Sequence, residues 1–313
     1  MENNVDSPKK EDRGVNKVSK IPVKIIKAPS PAKPKWLKVK APTGHKVEEL
    51  KNVLRRSKLN TVCEQAACPN LGDCFNRGTA TFMILGNFCT RRCPFCDVAH
   101  GRPAPIDKDE PKRLAELAAN MALKYLVITS VDRDDLKDGG AGHFSDCVRQ
   151  IRNAVDDIKI EILVPDFRGR MEKALNALSS DLPNVFNHNM ETVKSLYRQI
   201  RPGADYEWSL QLIKSFKNIA PEVPTKSGIM LGFTETKDEI KQTLYDLVAA
   251  DCDMVTIGQY LQPSPHHLPV SKFVHPEEFR EYEEFAFGLG FKSVASGPLV
   301  RSSYHADEQS SSF

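Results

Sequence analysis

The feature that most constrains the fold is a regular alternation of short apolar runs with helical patterns, which begins near Ala80. Six runs are predicted strands: Ala80–Leu85, Tyr125–Thr129, Ile160–Val164, Asn184–Asn187, Gly228–Leu231 and Met254–Ile257. A last short strand is predicted at Lys292–Ala295. Strands that alternate with helices form parallel sheets with right-handed crossovers. The sequence therefore predicts an α/β fold, a partial (β/α)6 TIM-like barrel.

The helical patterns between these strands have the apolar spacing of amphipathic helices. They cover Glu110–Leu123, His143–Asp156, Arg170–Leu178, Glu191–Ile200 with Tyr206–Ile219, Lys237–Ala250 and Pro276–Leu289. Polar residues gather just after several predicted strands. Because the carboxyl ends of barrel strands form one face, and barrel active sites lie there, we expect the functional site at this face.

Six of the eight cysteines lie in one stretch, in two groups of three. The second group, Cys89, Cys93 and Cys96, follows the first predicted strand within GNFCTRRCPFC. Three thiolates on a short loop can bind three irons of a 4Fe–4S cube and leave the fourth iron open for a substrate. Arg91 and Arg92, which lie between Cys89 and Cys93, are expected to lower the thiol pKa values. The alternatives are half of a zinc knuckle or three buried cysteines.

The Cys89-x3-Cys93-x2-Cys96 spacing, placed after a first strand, resembles that of the radical S-adenosylmethionine (SAM) superfamily. In that superfamily the open iron binds the amino and carboxylate groups of SAM, and reductive cleavage yields a 5′-deoxyadenosyl radical. The resemblance implies a barrel of the radical SAM type. It also implies that these three cysteines are metal-binding and catalytic residues.

The first group, Cys63-x4-Cys68-x5-Cys74, has an unusual spacing for zinc sites and for ferredoxin-like clusters. Together with the second group it closely resembles the lipoyl synthase family, over about residues 36–308. The stretches that carry the resemblance include TVCEQAACPN, CTRRCPFCDV, VFNHNMETV, RPGADYEWSL and GPLVRSSYHAD. The family usually has a glycine where this chain has Thr234. That difference puts the local backbone geometry after the fifth strand in doubt.

The resemblance implies a sulfurtransferase that uses SAM and two 4Fe–4S clusters. Such an enzyme inserts two sulfur atoms, at carbons 6 and 8 of an octanoyl group on a lysine of a lipoyl carrier protein. Cys63, Cys68 and Cys74 would hold the auxiliary cluster, which donates the sulfur. Ser303 of the RSSY motif would be its fourth ligand and a catalytic residue, with Ser302 as the alternative. An alkoxide binds iron less firmly than a thiolate, which suits a cluster that gives up sulfur.

The same resemblance implies protein partners. The octanoylated carriers would be the acyltransferase subunit of 2-oxoacid dehydrogenases and the H protein of glycine cleavage. An electron donor such as flavodoxin or ferredoxin is expected, together with an iron–sulfur carrier protein. Neither nucleic acid nor a membrane is an expected partner.

Six further residues are expected to bind SAM: Phe95, Ser130, Asp132, Asn189, Glu191 and Arg201. The resemblance implies that Asn189 and Glu191 hydrogen-bond the ribose hydroxyls; the alternative is that they cap the next helix. Arg201 would bind the methionine carboxylate or lie on the surface. Ser130 and Asp132 would lie at the barrel mouth; the alternative for Asp132 is a charged loop with the two residues after it. Phe95 would pack near the adenine or in the core.

Four other residues resemble metal ligands without having a ligand pattern. His266 and His267 are adjacent, so their side chains point apart, and we expect them to shape a loop near the substrate. Cys147 lies in an apolar helical pattern and Cys252 just before a strand. We expect both of these cysteines to be buried and without a metal.

The basic charge of the chain is concentrated at its start. Net charge is +3, whereas residues 1–40 hold ten Lys and one Arg against four acidic residues. Residues 1–35 are predicted to be a disordered leader, although docking to an acidic carrier is an alternative. No aromatic residue precedes Trp36 to stack on bases, and no apolar run is long enough to span a bilayer. Eight cysteines without an export signal favour metal binding in a reducing cytoplasm.

The predicted organisation is the leader at 1–35, an extension with the first cysteine group at 36–78, the barrel at 79–290 and a C-terminal extension at 291–313. Two other functions compete with the one described. One is a different radical SAM enzyme with an auxiliary cluster. The other is a zinc-binding module that binds nucleic acid, but the long βα series argues against it because a zinc module needs no barrel.

Overall fold

The computed structural model describes residues 29–38, 45–65, 70, 81–303 and 306–310. The predictions for Cys68 and Cys74 lie outside the described residues, and for Cys63 only the backbone is described. Most of the predicted leader also lies outside them. The predicted domain boundaries therefore remain predictions.

Eight strands form one sheet in which each strand pairs with its neighbours along the chain. They are β1 Asn60–Thr61, β2 Thr81–Ile84, β3 Tyr125–Ser130, β4 Lys159–Leu163, β5 Val185–Asn187, β6 Thr225–Leu231, β7 Met254–Gln259 and β8 Ser293–Gly297. β1 is antiparallel to β2, and the pairs from β2 to β8 are parallel. A consecutive strand order is the winding of a barrel, and here β1 and β8 are the two ends of the order. The predicted partial α/β barrel is confirmed.

Strand β6 shows where the sequence pattern was misleading. It begins at Thr225, three residues before the predicted start, because the run Thr225, Lys226, Ser227 is polar yet fully buried. The Lys226 ammonium reaches the Glu161 carboxylate on β4 at 3.3 Å, and both side chains have zero exposure. A buried charge persists when it is paired. A polar sequence can therefore form a buried strand here.

The helices between β2 and β8 lie where the sequence predicted them, with one exception; the helices before β2 and after β8 lie outside that predicted series. The helices are α1 His45–Arg56, α2 Val62–Gln65, α3 Glu110–Asn120, α4 Ala141–Ala154, α5 Met171–Leu178, α6 Tyr197–Ile200, α7 Tyr206–Ile219, α8 Lys237–Ala249, α9 Pro276–Gly288 and α10 Ala306–Ser310. The predicted helix Glu191–Ile200 is wrong in its first half. Glu191 has a φ of +67°, donates its N–H to Gly228 O and accepts from Met230 N, so its backbone extends the sheet instead.

Apolar faces of the helices pack against the outside of the sheet. One core cluster covers the β2–β5 half, where the rings of Phe186 and Phe216 stack at 3.8 Å. A second cluster covers the β6–β8 half. Cys147 and Cys252 are buried in these two clusters, as expected. Within the described part of the chain, no helix is long and apolar enough to cross a membrane.

Candidate active site

A cavity of about 570 Å³ lies at the carboxyl ends of the strands. Thr129, Leu163, Gly228 and Thr256 line it from four different strands. The structure brings the predicted site residues that it describes together around this cavity: Cys89, Cys93, Phe95, Cys96, Ser130, Asp132, Asn189, Glu191, Arg201 and Ser303. Residues up to 214 positions apart thus share one space because parallel strands end at the same face.

The second cysteine group lies on the loop after β2. The loop is held by its backbone, since Cys89 N donates to Ala99 O at 2.9 Å and Thr90 N to Asp132 O at 3.1 Å. The three thiols are not in disulfides and are partly exposed to the cavity. In the part of the chain that the structure describes, no three His, Cys, Asp or Glu side chains converge on a single-ion site. Ligands of a cube need not converge, because each thiol binds a different iron.

Arg91 anchors this loop by hydrogen-bonded ion pairs with acidic residues of other loops. Its guanidinium donates to both carboxylate oxygens of Asp166, at 2.6 and 2.8 Å, and to both of Asp134, each at 2.8 Å. Only 7% of Arg91 is exposed. Its backbone N–H, which donates to Cys89 Sγ, lowers the pKa of that thiol as expected, but burial and the nearby Asp132 outweigh it and raise the pKa. The charge of Arg91 is neutralised by carboxylates instead.

Asn189, Glu191 and Arg201 form one hydrogen-bonded group that also lines the cavity. Asn189 Nδ2 donates to Glu191 Oε1 at 3.0 Å, and Arg201 Nη1 donates to the backbone oxygen of Asn189 at 2.9 Å. The capping alternative is wrong, because the next helical turn begins after Val193 with no side-chain cap. Burial raises the pKa of Glu191, although the charge of Arg201 opposes this shift.

Arg201 is 8% exposed, so the surface alternative is wrong for this residue. Its Nη1 also donates to Tyr197 Oη at 2.8 Å, and its guanidinium lies 5.3 Å from the centre of the Tyr197 ring. Nη2 has no hydrogen-bond partner among the residues that the structure describes. This leaves one face of the guanidinium for an anionic group in the cavity.

Two buried polar atoms at the cavity fit a polar ligand. Ser130 Oγ and His188 Nε2 have no partner among the described residues, and both residues line the cavity. His188 Nδ1 lies 2.9 Å from Val164 O and therefore carries the ring proton. Burial lowers the pKa of His188 to about 4, so the ring is neutral at pH 7 and Nε2 is an acceptor. Buried polar atoms normally have partners, so a bound molecule is expected here.

The sequence analysis does not identify His188, although it directly precedes the site residue Asn189 in FNHN. His267 was seen only as loop structure. The structure buries it to 1% exposure and places its Nε2 3.3 Å from Cys96 O. His266, in contrast, is only partly buried, so the two adjacent rings do point apart. His267 therefore supports the end of the cysteine loop.

Phe95 satisfies both of its sequence interpretations. It lines the cavity and also packs against the apolar group that contains Tyr260 and Phe233.

Thr234 follows Phe233 in the chain but is exposed and has no positive φ. The positive φ of this turn, +109°, belongs to Gly232. The doubt raised by Thr234 is therefore removed, because the position does not need a glycine.

We call residues 299–303 the C-terminal arm, and residues 300–303 of it line the cavity. Asn70, which lies in sequence between Cys68 and Cys74, donates its Nδ2 to Leu299 O at 2.6 Å. At the other end, Ser302 Oγ donates to Asn189 Oδ1 at 2.8 Å. Asn70 is 5% exposed. The arm therefore joins Asn70, which lies 229 residues before Leu299 in sequence, to Asn189.

Gly258 on β7 makes room for the arm, and we predict that Gly258→Ala displaces it. A Cβ at this position would overlap Val300 O. Overpacking of this kind costs about 1–3 kcal/mol. If the arm holds one cluster, iron and sulfide should fall from about eight to about four per chain, measured anaerobically. Gly288→Ala, whose Cβ would meet nothing within 4 Å, is the matched control and should keep the full content.

The end of the predicted leader is packed against the barrel. Ser30 Oγ donates to Gln262 Oε1 at 2.8 Å and accepts from Val270 N at 3.1 Å. The ring of Trp36 lies edge-on to that of His275, with centroids 6.1 Å apart. Lys33, between these anchors, lines the cavity. A basic side chain of the leader thus reaches the functional site.

Comparisons with known proteins agree with this geometry. A model described as the radical SAM superfamily matches residues 83–247, and one described as the N-terminal domain of lipoyl synthase of the radical SAM family matches residues 4–68. The chain is 60% identical to a lipoyl synthase of Hahella chejuensis over 298 residues, which are 95% of this chain and 90% of the relative. It is 59% identical to one of Pseudomonas aeruginosa, over 95% and 91% of the two chains.

The chain belongs to the lipoyl synthase family. It is therefore an enzyme, a sulfurtransferase of the radical SAM superfamily that uses SAM and two 4Fe–4S clusters, as the sequence predicted. Family membership excludes the zinc-module alternative and favours this reading over another radical SAM enzyme.

Solved structures show the same fold at low sequence identity. The FeFe-hydrogenase maturase HydG from Carboxydothermus hydrogenoformans has a TM-score of 0.56 at 12% identity, over 74% of this chain and 56% of that chain. A second HydG structure has a TM-score of 0.52 at 15% identity, over 67% and 49%. These similarities support the partial barrel and carry no further argument about activity.

Proposed function

We propose that the cavity binds SAM beside a cluster held by Cys89, Cys93 and Cys96, and that sulfur is inserted there into the octanoyl group of a lipoyl carrier protein. When bound, SAM and the clusters supply the adenosyl radical and the sulfur. The observation that carries this proposal is the convergence of the described candidate residues on one cavity at the carboxyl ends of the strands.

The polar groups that line the cavity besides the cysteines suit the parts of SAM. Glu191 can accept from ribose hydroxyls, since Asn189 occupies only one of its carboxylate oxygens. Arg201 Nη2 is placed to hold the methionine carboxylate, and Phe95 offers an apolar surface to the adenine. Ser130 Oγ and His188 Nε2 are further polar groups without partners in the described residues.

We assign the auxiliary cluster to Cys63, Cys68, Cys74 and Ser303. Two contacts support this assignment. Asn70, which lies in sequence between Cys68 and Cys74, donates a hydrogen bond to the C-terminal arm at Leu299. The hydroxyl proton of Ser302 is donated to Asn189, which favours the next serine as the ligand.

Apolar side chains line the remaining wall of the cavity: Met83, Val131, Leu163, Ile229, Met230 and Val300. Such a wall suits an alkyl chain, because apolar area removed from water is favourable for binding. It also keeps water away from a reactive carbon centre. We therefore place the octanoyl chain against this wall.

The finer partners follow from the family. Lipoyl carrier proteins are the substrates, and we propose the acyltransferase subunit of 2-oxoacid dehydrogenases and the glycine cleavage H protein among them. Flavodoxin or ferredoxin is the proposed reductant, and an iron–sulfur carrier protein is the proposed source of new clusters. We also propose a cytoplasmic location, and the domain division at residues 35, 78 and 290.

An anaerobic single turnover tests the proposed function. Reconstituted enzyme is mixed with an octanoylated carrier domain, dithionite and SAM, and the carrier is analysed by mass spectrometry. We expect 5′-deoxyadenosine together with a carrier that has gained first one and then two sulfur atoms. Formation of 5′-deoxyadenosine with a carrier that has gained no sulfur would contradict the sulfur-insertion proposal. A Cys93→Ala variant, which lacks one proposed cluster ligand, should produce neither product.

A further inference from the structure

We infer that Ser302 is a positioning residue that couples the C-terminal arm to the SAM site. Through Ser302, docking of the arm sets the side chains of Asn189 and Glu191, and binding of SAM in turn favours the docked arm. The inference rests on the proposed assignment of Asn189 and Glu191 to the ribose. It adds a link between the segment that carries Ser303 and the site where SAM binds.

The contact runs through one amide group. Ser302 Oγ donates to Asn189 Oδ1 at 2.8 Å, and Asn189 Nδ2 donates to Glu191 Oε1 at 3.0 Å. An amide has an acceptor end and a donor end, so a donor on one end decides which end faces the next residue. The Ser302 hydroxyl thereby directs the N–H group of Asn189 toward the carboxylate of Glu191.

The backbone of this pair is held without the arm. Arg201 Nη1 donates to Asn189 O at 2.9 Å, and Glu191 is bonded to both Gly228 O and Met230 N, each at 2.9 Å. Removing the Ser302 hydroxyl should therefore leave the backbone in place. What changes is the orientation of the Asn189 amide and the carboxylate that it holds.

The contact between Ser302 and Asn189 depends on a glycine in the sheet, Gly228, because a side chain there would occupy the same space. A Cβ at Gly228 would lie 2.8 Å from Asn189 Oδ1 and 3.1 Å from Ser302 Oγ. On the adjacent strand, a Cβ at Gly258 would overlap Val300 O. Two paired strands thus carry glycine where the arm approaches, since any larger residue would push it away.

Coupling between two sites is reciprocal. If the docked arm raises SAM affinity by some factor, SAM raises the stability of the docked arm by the same factor. The two cofactor sites are then linked. An enzyme whose arm has lost its contact with the cluster binds SAM less tightly, and bound SAM keeps Ser303 close to its proposed cluster.

The first measurement is the SAM dissociation constant of the full-length holoenzyme, by anaerobic equilibrium dialysis without reductant so that SAM stays intact. For Ser302→Ala we expect about a 3- to 10-fold rise, the usual effect of losing one neutral hydrogen bond. Iron and sulfide content should not change. Ser296→Ala is the matched control: it also removes one serine hydrogen bond, to Phe279 O at 2.7 Å, but it does not line the cavity. Its SAM affinity should equal that of the wild type.

The Asn189→Ala variant distinguishes the ribose assignment from the coupling through Ser302. If this variant binds SAM as the wild type does, the ribose assignment is wrong and the coupling falls with it. If Asn189→Ala weakens SAM binding but Ser302→Ala does not, the ribose assignment stands and the coupling alone is refuted.

Hydrogen exchange on the wild type provides a readout that needs no variant to fold. SAM should slow exchange of the amides of residues 299–303 by a factor comparable to the affinity change, and Ser302→Ala should lose this slowing. Arm amides that exchange at the same rate with and without SAM in the wild type would overturn the inference.

Discussion

Replacing Ser303 with cysteine is expected to keep both clusters in place while formation of the lipoyl product falls below detection. Ser303 lines the cavity at the end of the arm. The arm is held by two hydrogen bonds, one between Asn70 and Leu299 O and one between Ser302 and Asn189. A hydroxyl oxygen is a harder and weaker ligand for iron than a thiolate. Ser303→Cys therefore supplies a firmer fourth bond at the place where the proposed chemistry needs a bond that opens.

The measurement for Ser303→Cys pairs cluster content with product. Iron and sulfide should stay near eight of each per chain, and 5′-deoxyadenosine should still form when SAM and reductant are added. Ser303→Ala is the companion variant and should lose the auxiliary cluster, about four irons. A Ser303→Cys enzyme that makes lipoyl groups at the wild-type yield would show that Ser303 is not a ligand whose release matters.

Replacing Arg91 with methionine is expected to lower the free energy of unfolding by about 3–5 kcal/mol, the cost of breaking a buried ion pair from one side. Methionine fills a similar length but leaves Asp166, 1% exposed, and Asp134 without their cation. The cysteine loop should then fail to hold its cluster, because the anchor under Cys89 and Cys93 is gone.

The neighbouring arginine provides the control for this experiment. Arg92 lies on the same loop, but among the described residues its Nε has no hydrogen-bond partner and its guanidinium pairs with no carboxylate. Arg92→Met should change the unfolding free energy by less than about 1 kcal/mol. Anaerobic denaturant unfolding with iron analysis compares the two variants. Equal effects from both would mean that the aspartates do not act through Arg91.

The sequence predicted the sheet well because buried parallel strands are written as short continuous apolar runs. β7, Met254–Gln259, was predicted from its mostly apolar first four residues and is buried throughout. The start of β6 was missed because Lys226 looks like a loop residue and becomes a strand residue only when Glu161 on another strand neutralises it. The turn at Glu191 was missed because its left-handed backbone is held by two bonds to β6, not by local preference.

Within the site, sequence reasoning recovered the residues that follow strands and failed for residues that act through partners. Ser130, Asn189 and Glu191 could be found by position alone, since the end of a parallel strand defines where they lie. Arg91 was misread because its three acidic neighbours come from other loops, after β3 and β4. His188 was missed because only its burial shows that Nε2 has no partner in the described residues.

By itself the sequence determined the family, the order of the strands and the two cysteine groups, because spacing along the chain is enough to specify a ligand loop and a βα repeat. Only the tertiary structure decided which distant segments of the chain contact one another. Asn70 with Leu299, Ser302 with Asn189, and Ser30 with Gln262 are contacts between segments more than 100 residues apart. Each is a single polar bond made possible by burial and by the shape of the sheet, and no local pattern in the chain encodes such a bond.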